Sequence, residues 1–138
     1  MSAYKTIQTE FRHLPSLLKA LADLGYPTHQ VEVAPNPKQP SLTLYGYTGM
    51  PRLEKASVRI PKANFGTYED VGFVWNGTGY TAIISTHDTR MNLGEGKLAT
   101  LKQRYALHEV RRQARARGYS VQEKVDASGV IRITLVRR

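Results

Sequence analysis

The sequence predicts an α+β fold: a mostly antiparallel sheet with two helices packed on one face, in the order β-α-β, a β meander, then α-β-β. Three observations lead there. Two stretches carry apolar residues at helical spacing and end in glycine. Several short runs alternate apolar and polar side chains in the manner of half-buried strands. The two helix-to-strand units flank the central strands, which read as an antiparallel meander.

The elements follow in order. Tyr4 to Phe11 alternates as a first strand. Leu14, Leu17, Leu18, Leu21 and Leu24 then recur at the spacing of an amphipathic helix, and Gly25 stands where a left-handed C′ residue is expected. Gln30 to Ala34 is a short strand. Pro35 to Pro40 holds three prolines and an asparagine, so residues 35–51 read as a Pro-rich loop region interrupted by a strand at Leu42 to Tyr47. Gly49-Met50-Pro51 turns the chain toward another strand at Lys55 to Ile60. Val71 to Trp75 and Tyr80 to Ser85 form a hairpin around Asn76-Gly77, for which a type I′ turn with positive φ at both central residues is expected. A loop through Gly94 and Gly96 leads to a second helix, Leu98 to Arg117, stopped by Gly118. Tyr119 to Val125 and Val130 to Val136 close the chain as a second hairpin about Asp126 to Gly129. Leu24-Gly25-Tyr26 and Arg117-Gly118-Tyr119 echo one another, as any two glycine-terminated helices entering strands do.

At 138 residues the chain reads as a single domain, residues 1–138. It contains no cysteine, which removes disulfides, thiolate nucleophiles and cysteine zinc sites. The first ten residues carry no apolar leader core, and no apolar run approaches the ~20 residues of a membrane span. The expectation is a cytoplasmic protein, or its equivalent in a plastid stroma or an infected host, with no membrane partner.

Charge is unevenly placed. Residues 1–96 hold nine Lys/Arg against eight Asp/Glu, whereas residues 97–138 hold eleven against three. The net charge of +9 therefore concentrates in the last third, where it attracts an anionic partner.

Motif-like strings carry little chemistry. Gly77-Thr78-Gly79-Tyr80-Thr81-Ala82 spells a dinucleotide fingerprint, but the chain continues as a strand rather than opening a helix. Gly94-Glu95-Gly96-Lys97 resembles a phosphate loop whose first glycine is Met91 and whose Ser/Thr is Leu98, so it fails twice. Asn76-Gly77-Thr78 is a sequon without a secretory signal and reads as a turn. His13, His29, His87 and His108 show no ligand spacing, and only His87-Asp88 offers acid–base groups side by side. No metal, cofactor or catalytic residue is expected.

The second helix carries the sharper signal. Gln103, Ala106, Leu107, Val110 and Ala114 form a modest apolar side. Leu101, Tyr105, His108 and Arg112 form another row, flanked by Arg104, Arg111 and Arg115. Aromatic, imidazole and guanidinium groups in one row stack on bases and neutralise phosphates, which points to a nucleic-acid or acidic-partner face that includes Arg132, Arg137 and Arg138.

Tyr4-Lys5-Thr6-Ile7, the segment Leu18 to Tyr26, Asp70-Val71-Gly72-Phe73, Gln103 to His108 and Arg117-Gly118-Tyr119 together resemble one known set. It is the family typified by hypothetical chloroplast reading frame thirty-five, with plastid, cyanobacterial, bacterial and phage members and a domain of unknown function. The chain departs from that family at Pro35 to Pro51 and at Ser85-Thr86-His87-Asp88, where relatives carry an aromatic-rich acidic segment. The resemblance implies no catalytic residue. It implies an accessory role beside a larger machine such as an AAA-type ATPase, because bacterial relatives lie near such genes.

Two expectations follow. The first is a nonenzymatic basic module that binds RNA or single-stranded DNA through the second helix and the C-terminal strand. The alternative is an adaptor whose basic residues face an acidic protein. An enzyme acting through His87, Asp88 and His108 is the weakest reading.

Overall fold

A computed structural model describes residues 4–91 and 95–137. The chain is α+β, with antiparallel pairing in every sheet. The backbone forms two compact units, Met1–Tyr105 and Ala106–Arg138.

The first unit contains β1 (Tyr4–Phe11), α1 (Leu14–Asp23), β2 (Glu32–Val33), β3 (Leu42–Tyr45), β4 (Pro51–Ala56), β5 (Val58–Ile60), α2 (Lys62–Phe65), β6 (Val71–Trp75), β7 (Tyr80–Ser85) and α3 (Thr86–Met91). It ends within α4 (Glu95–Ala116). Instead of the one sheet expected, the described residues form a five-stranded sheet in the order β1-β7-β6-β5-β2 and two separate two-stranded sheets, β3-β4 and, in the second unit, β8 (Tyr119–Val125) with β9 (Ile131–Arg137).

Side chains alternate across a strand, so β1, β6 and β7 of the large sheet serve two cores. Val58, Ile60, Val71, Phe73, Tyr80, Ala82 and Ile84 meet Phe11, Leu17, Ala20 and Leu21 on one face, and Leu98, Leu101 and Tyr105 of α4 join the same core. On the other face Ile83 and Val74 pack with Leu42, Leu44 and Ala56 of the β3-β4 sheet. Gly72 lies beneath this contact: a Cβ there would stand 2.9 Å from Leu44 Cδ1 and 3.2 Å from Ala56 Cβ. The absent side chain lets the two sheets close.

Helix α1 ends as its sequence predicts. Gly25 takes φ +97°, its N–H bonds Ala22 O, and the Tyr26 N–H reaches back to Leu21 O, which completes a Schellman cap. The expected strand Lys55 to Ile60 is broken at Ser57 into β4 and β5. Ser57 donates its N–H to Phe73 O and accepts the Trp75 N–H on its hydroxyl, so it serves β6. The strand expected over Gln30 to Ala34 shortens to two residues because Thr28–Gln30 coils into a 3-10 turn.

The β6-β7 hairpin has the expected strand limits, but its turn differs. Trp75 pairs with Tyr80, and four residues connect them. Gly77 takes φ +104°, while no non-glycine among the described residues has positive φ, so a type I′ turn is excluded. The Asn76 carboxamide oxygen accepts the N–H groups of Thr78 and Gly79 and organises the loop instead. Helix α3 was not expected. Its start is a capping arrangement in which Ser85 Oγ accepts the Asp88 N–H at 3.1 Å and donates to Asp88 Oδ2 at 2.8 Å. Of the glycine loop expected before α4, Gly94 lies outside the described residues, and Lys97 stands 2.7 Å from the Tyr26 hydroxyl.

The second unit holds the rest of α4, then β8 (Tyr119–Val125) and β9 (Ile131–Arg137). Gly118 turns the chain at φ +82°. Tyr119 pairs with Arg137 and Val125 with Ile131 in an uninterrupted ladder. Asp126 Oδ1 organises the turn by accepting from Ser128 N, Ser128 Oγ and Val130 N.

Candidate functional site

The residues expected to bind an anionic partner are distributed between the two units. Arg104 and Tyr105 belong to the first; His108, Arg111, Arg112, Arg115, Arg132 and Arg137 belong to the second; Arg138 lies outside the described residues.

Tyr105 requires a correction. It was assigned to an exposed row, but its ring is buried edge-on against Phe11 at a centroid distance of 5.0 Å. Its hydroxyl oxygen accepts the N–H groups of Arg12 at 2.8 Å and His13 at 2.9 Å. Leu101 of the same row is buried as well, while Ala106 and Val110 of the supposed core side are exposed. The first turns of α4 thus bury the stripe that the sequence placed outside. Arg104 is held by Asp23, Nε to Oδ2 at 2.9 Å.

In the second unit Arg111 is bonded to Glu123 of β8 and Arg112 to Glu109 at 2.6 Å. His108 is half-buried. Arg115 is exposed and, with Arg111, Ser120 and Val121, lines a shallow cleft of about 490 Å³. Arg132 lies 3.9 Å from Asp126, and the Arg137 guanidinium stands over the Tyr119 ring at 6.0 Å.

The hairpin itself is two-sided. The register places Tyr119, Val121, Glu123 and Val125 on one face with Ile131, Ile133, Leu135 and Arg137. Val125, Ile133 and Leu135 remain 59%, 39% and 49% exposed. Lys124 and Arg132 pair on the opposite face. This aliphatic surface went unnoticed in the sequence because alternating Ile, Thr and Val satisfy a strand whether or not anything covers them.

A second constellation, in the first unit, was missed altogether. Glu69, Asp70 and Asp88 are fully buried. Asp88 Oδ1 accepts the Tyr68 N–H at 2.7 Å and its Oδ2 the Glu69 N–H at 3.0 Å, so it fixes the backbone of that segment and has a structural task. Asp70 is equally engaged, accepting from Tyr45 N, Lys62 N and Arg59 Nε between 2.8 and 2.9 Å. Glu69 differs: Arg52 Nη1 lies 3.3 Å from Oε1, and Oε2 has no hydrogen-bond partner among the described residues. Burial, followed by the charges of Glu69 and Asp70, pushes the Tyr4 phenol well above its ordinary pKa. The Glu69-Asp70 pair immediately before an apolar strand was the available signal, since adjacent acids at a strand entrance are forced to opposite sides of the chain.

Beside Glu69 opens a cleft of about 390 Å³ under the β3-β4 turn, with Tyr47, Met50 and Leu53 on its walls and Glu54 at its rim. Tyr47 stacks on Tyr68 at 4.6 Å, and Tyr68 meets the exposed His87 ring at 4.3 Å. Among the described residues, no three His, Asp or Glu side chains are grouped to hold a metal ion, and no helix is long and apolar enough to cross a membrane.

Fold and pairing define an α+β chain built on antiparallel sheets. Residues 20–134 match the family described as "Protein of unknown function (DUF1257)", and the chain belongs to that family. No curated protein and no solved structure matches it.

Proposed function

We propose that the protein is a nonenzymatic accessory module that docks its C-terminal unit on an acidic protein surface. The observation that carries this reading is the β8-β9 hairpin, whose exposed Val125, Ile133 and Leu135 share one face, with Arg137 at its end and Lys124 and Arg132 on the reverse face. An exposed aliphatic face on a basic unit offers the apolar centre of a protein–protein contact. A two-stranded sheet is marginal alone, so a covering partner adds stability as well as contact. Eight Lys/Arg against three Asp/Glu in residues 106–138 select an acidic counterpart. The likeness to the plastid reading-frame family makes an AAA-type ATPase the class of machine to try first, in the cytoplasm or its plastid or phage-infected equivalent.

The competing reading, RNA or single-stranded DNA, keeps its cations and loses its stacking platform with Tyr105 buried. Pull-down from the native host, with and without nuclease, separates the two when the parent is compared with the double variant Ile133→Ser, Leu135→Ser. Docking on protein gives a nuclease-resistant partner that the double variant loses. Nucleic-acid binding instead gives capture of homopolymeric RNA that ignores the double variant and, for about five phosphates, weakens about 100-fold between 50 and 200 mM salt. That second pattern would overturn the proposal.

A further inference from the structure

Glu69 is 0% exposed, yet its Oε2 has no hydrogen-bond partner among the described residues. A carboxylate oxygen out of water and without a donor is costly, and native structures rarely tolerate one without a use for it. The same is true of Glu54 Oε2, another buried oxygen without a hydrogen bond, whose cationic neighbour Arg52 Nε stands 3.9 Å away, too far to bond. Arg52 is thus shared between two carboxylates while its guanidinium also covers the Tyr4 ring at 4.6 Å. The Lys62 ammonium, bonded to the Gly46 carbonyl, adds a second cation nearby, yet among the described residues two carboxylate oxygens are left without a donor.

Glu54 and Glu69 line the open cleft under the β3-β4 turn, whose other walls include Tyr47, Met50 and Leu53. The walls are held in place. Tyr47 lies nearly parallel to Tyr68, with 15° between the rings, and the backbone of Tyr68 and Glu69 is pinned by Asp88. Gly46 keeps the floor open, since a Cβ at this position would stand 3.2 Å from Glu69 Oε1. The cleft is therefore lined by two carboxylates whose unmet oxygens lie just beneath its surface, an aromatic ring and an aliphatic wall.

We propose that this cleft binds a cationic group on an aliphatic stem, a guanidinium or primary ammonium, which donates to Glu54 and Glu69 while its stem lies along Tyr47, Met50 and Leu53. Guanidinium fits best, because its planar fork carries five donors and can serve two carboxylates at once, and its face stacks on an aromatic ring. An anionic ligand brings no donors to the carboxylate oxygens, and a metal ion would sit against the Arg52 guanidinium. Such a cation reaches the cleft either as a small free amine or as an arginine or lysine side chain of a peptide.

The test is calorimetric titration of the full chain at low salt with agmatine and with a short capped Gly-Arg-Gly peptide, a Gly-citrulline-Gly peptide serving as the uncharged control. Agmatine binds and the citrulline peptide does not; binding by the arginine peptide as well assigns the site to protein side chains, and binding by agmatine alone assigns it to free amines. Losing one charge-assisted bond in Glu54→Gln weakens agmatine roughly tenfold or more. Glu69→Gln abolishes binding. If that variant fails to fold, Glu54→Gln decides the matter, since the Glu54 side chain is 35% exposed and lies outside both cores. Glu123→Gln, in the other unit, leaves affinity unchanged. Absence of binding by agmatine and the arginine peptide, or equal affinity of the parent and Glu54→Gln, overturns the proposal.

Discussion

Replacing Tyr105 distinguishes a structural residue from a stacking one. Tyr105→Phe keeps the ring against Phe11 but removes the oxygen that accepts two backbone N–H groups, from Arg12 at 2.8 Å and His13 at 2.9 Å. A buried donor left without an acceptor costs about 1–3 kcal/mol. Arg12 is exposed and His13 half-buried, so water replaces part of what is lost, and the total for the pair stays within that same range. Tyr105→Ala removes the ring too, from a core that includes Phe11, Phe73 and Leu101, and an aromatic-to-alanine truncation in a core costs about 3–5 kcal/mol. Urea unfolding followed by circular dichroism should therefore order the three proteins as parent, Phe, Ala. A stacking role predicts the reverse pattern: an unchanged midpoint and lost affinity for oligonucleotides. Tyr105→Ala unfolding at the parent's urea midpoint would refute the burial argument.

Gly77→Val should destabilise the fold by about 1–3 kcal/mol through backbone strain alone, since Gly77 has φ +104° and no atom within 4 Å of its would-be Cβ; Gly77→Asn should lose less, and equal melting of Val and parent would sink the turn assignment. Gly72→Val acts by overpacking against Leu44 and Ala56, about 1–3 kcal/mol, and adding Leu44→Ala should recover part of that loss in thermal melts. The Ser128 hydroxyl, followed by the Val130 N–H, holds the Asp126 carboxyl below its usual pKa. Because the folded value is lowered, this turn stabilises the hairpin above the ordinary carboxylate pKa, and the contribution is lost as pH falls through the folded value. Carbon-detected NMR titration should show Asp126 titrating low and Ser128→Ala moving it back up.

Elements whose signals are local were legible. The limits of β1, β6, β7 and β8 fall where alternation and turn residues place them, and both long helices stop at glycines with positive φ. What could not be read depends on partners distant in the chain. Ser57 breaks a strand because it bonds to Phe73 and Trp75, and the Gln30 to Ala34 strand shrinks because a 3-10 turn takes its first residue. Glu69 is fixed by Asp88, nineteen positions away. No window of alternating residues contains such bonds. His87 and Asp88 illustrate the same limit from the other side: adjacent in sequence, one is exposed against Tyr68 and the other buried beneath a helix start.

The misread helix and the division of the chain have one cause. A helix that serves a single core buries one stripe, and α4 was read that way, with one apolar side and one binding side. Its buried residues obey two phases instead. Leu98, Leu101 and Tyr105 follow the i, i+3, i+7 pattern and join the core of the first unit, whereas Leu107 and Ala114 are seven apart on a different stripe. The stripe changes between Tyr105 and Leu107, where the chain also divides into its two compact units. Two weak stripes in one helix average to a modest apolar face, and the residues of one then look like exposed neighbours of the other. From the sequence alone, Tyr105 therefore reads as a binding residue. The arginines beyond it were not subject to the same error, since Arg111, Arg112 and Arg115 lie past the change of phase and stay at least partly exposed. A positively charged surface therefore survives the correction, while the aromatic platform that would have turned it toward bases does not.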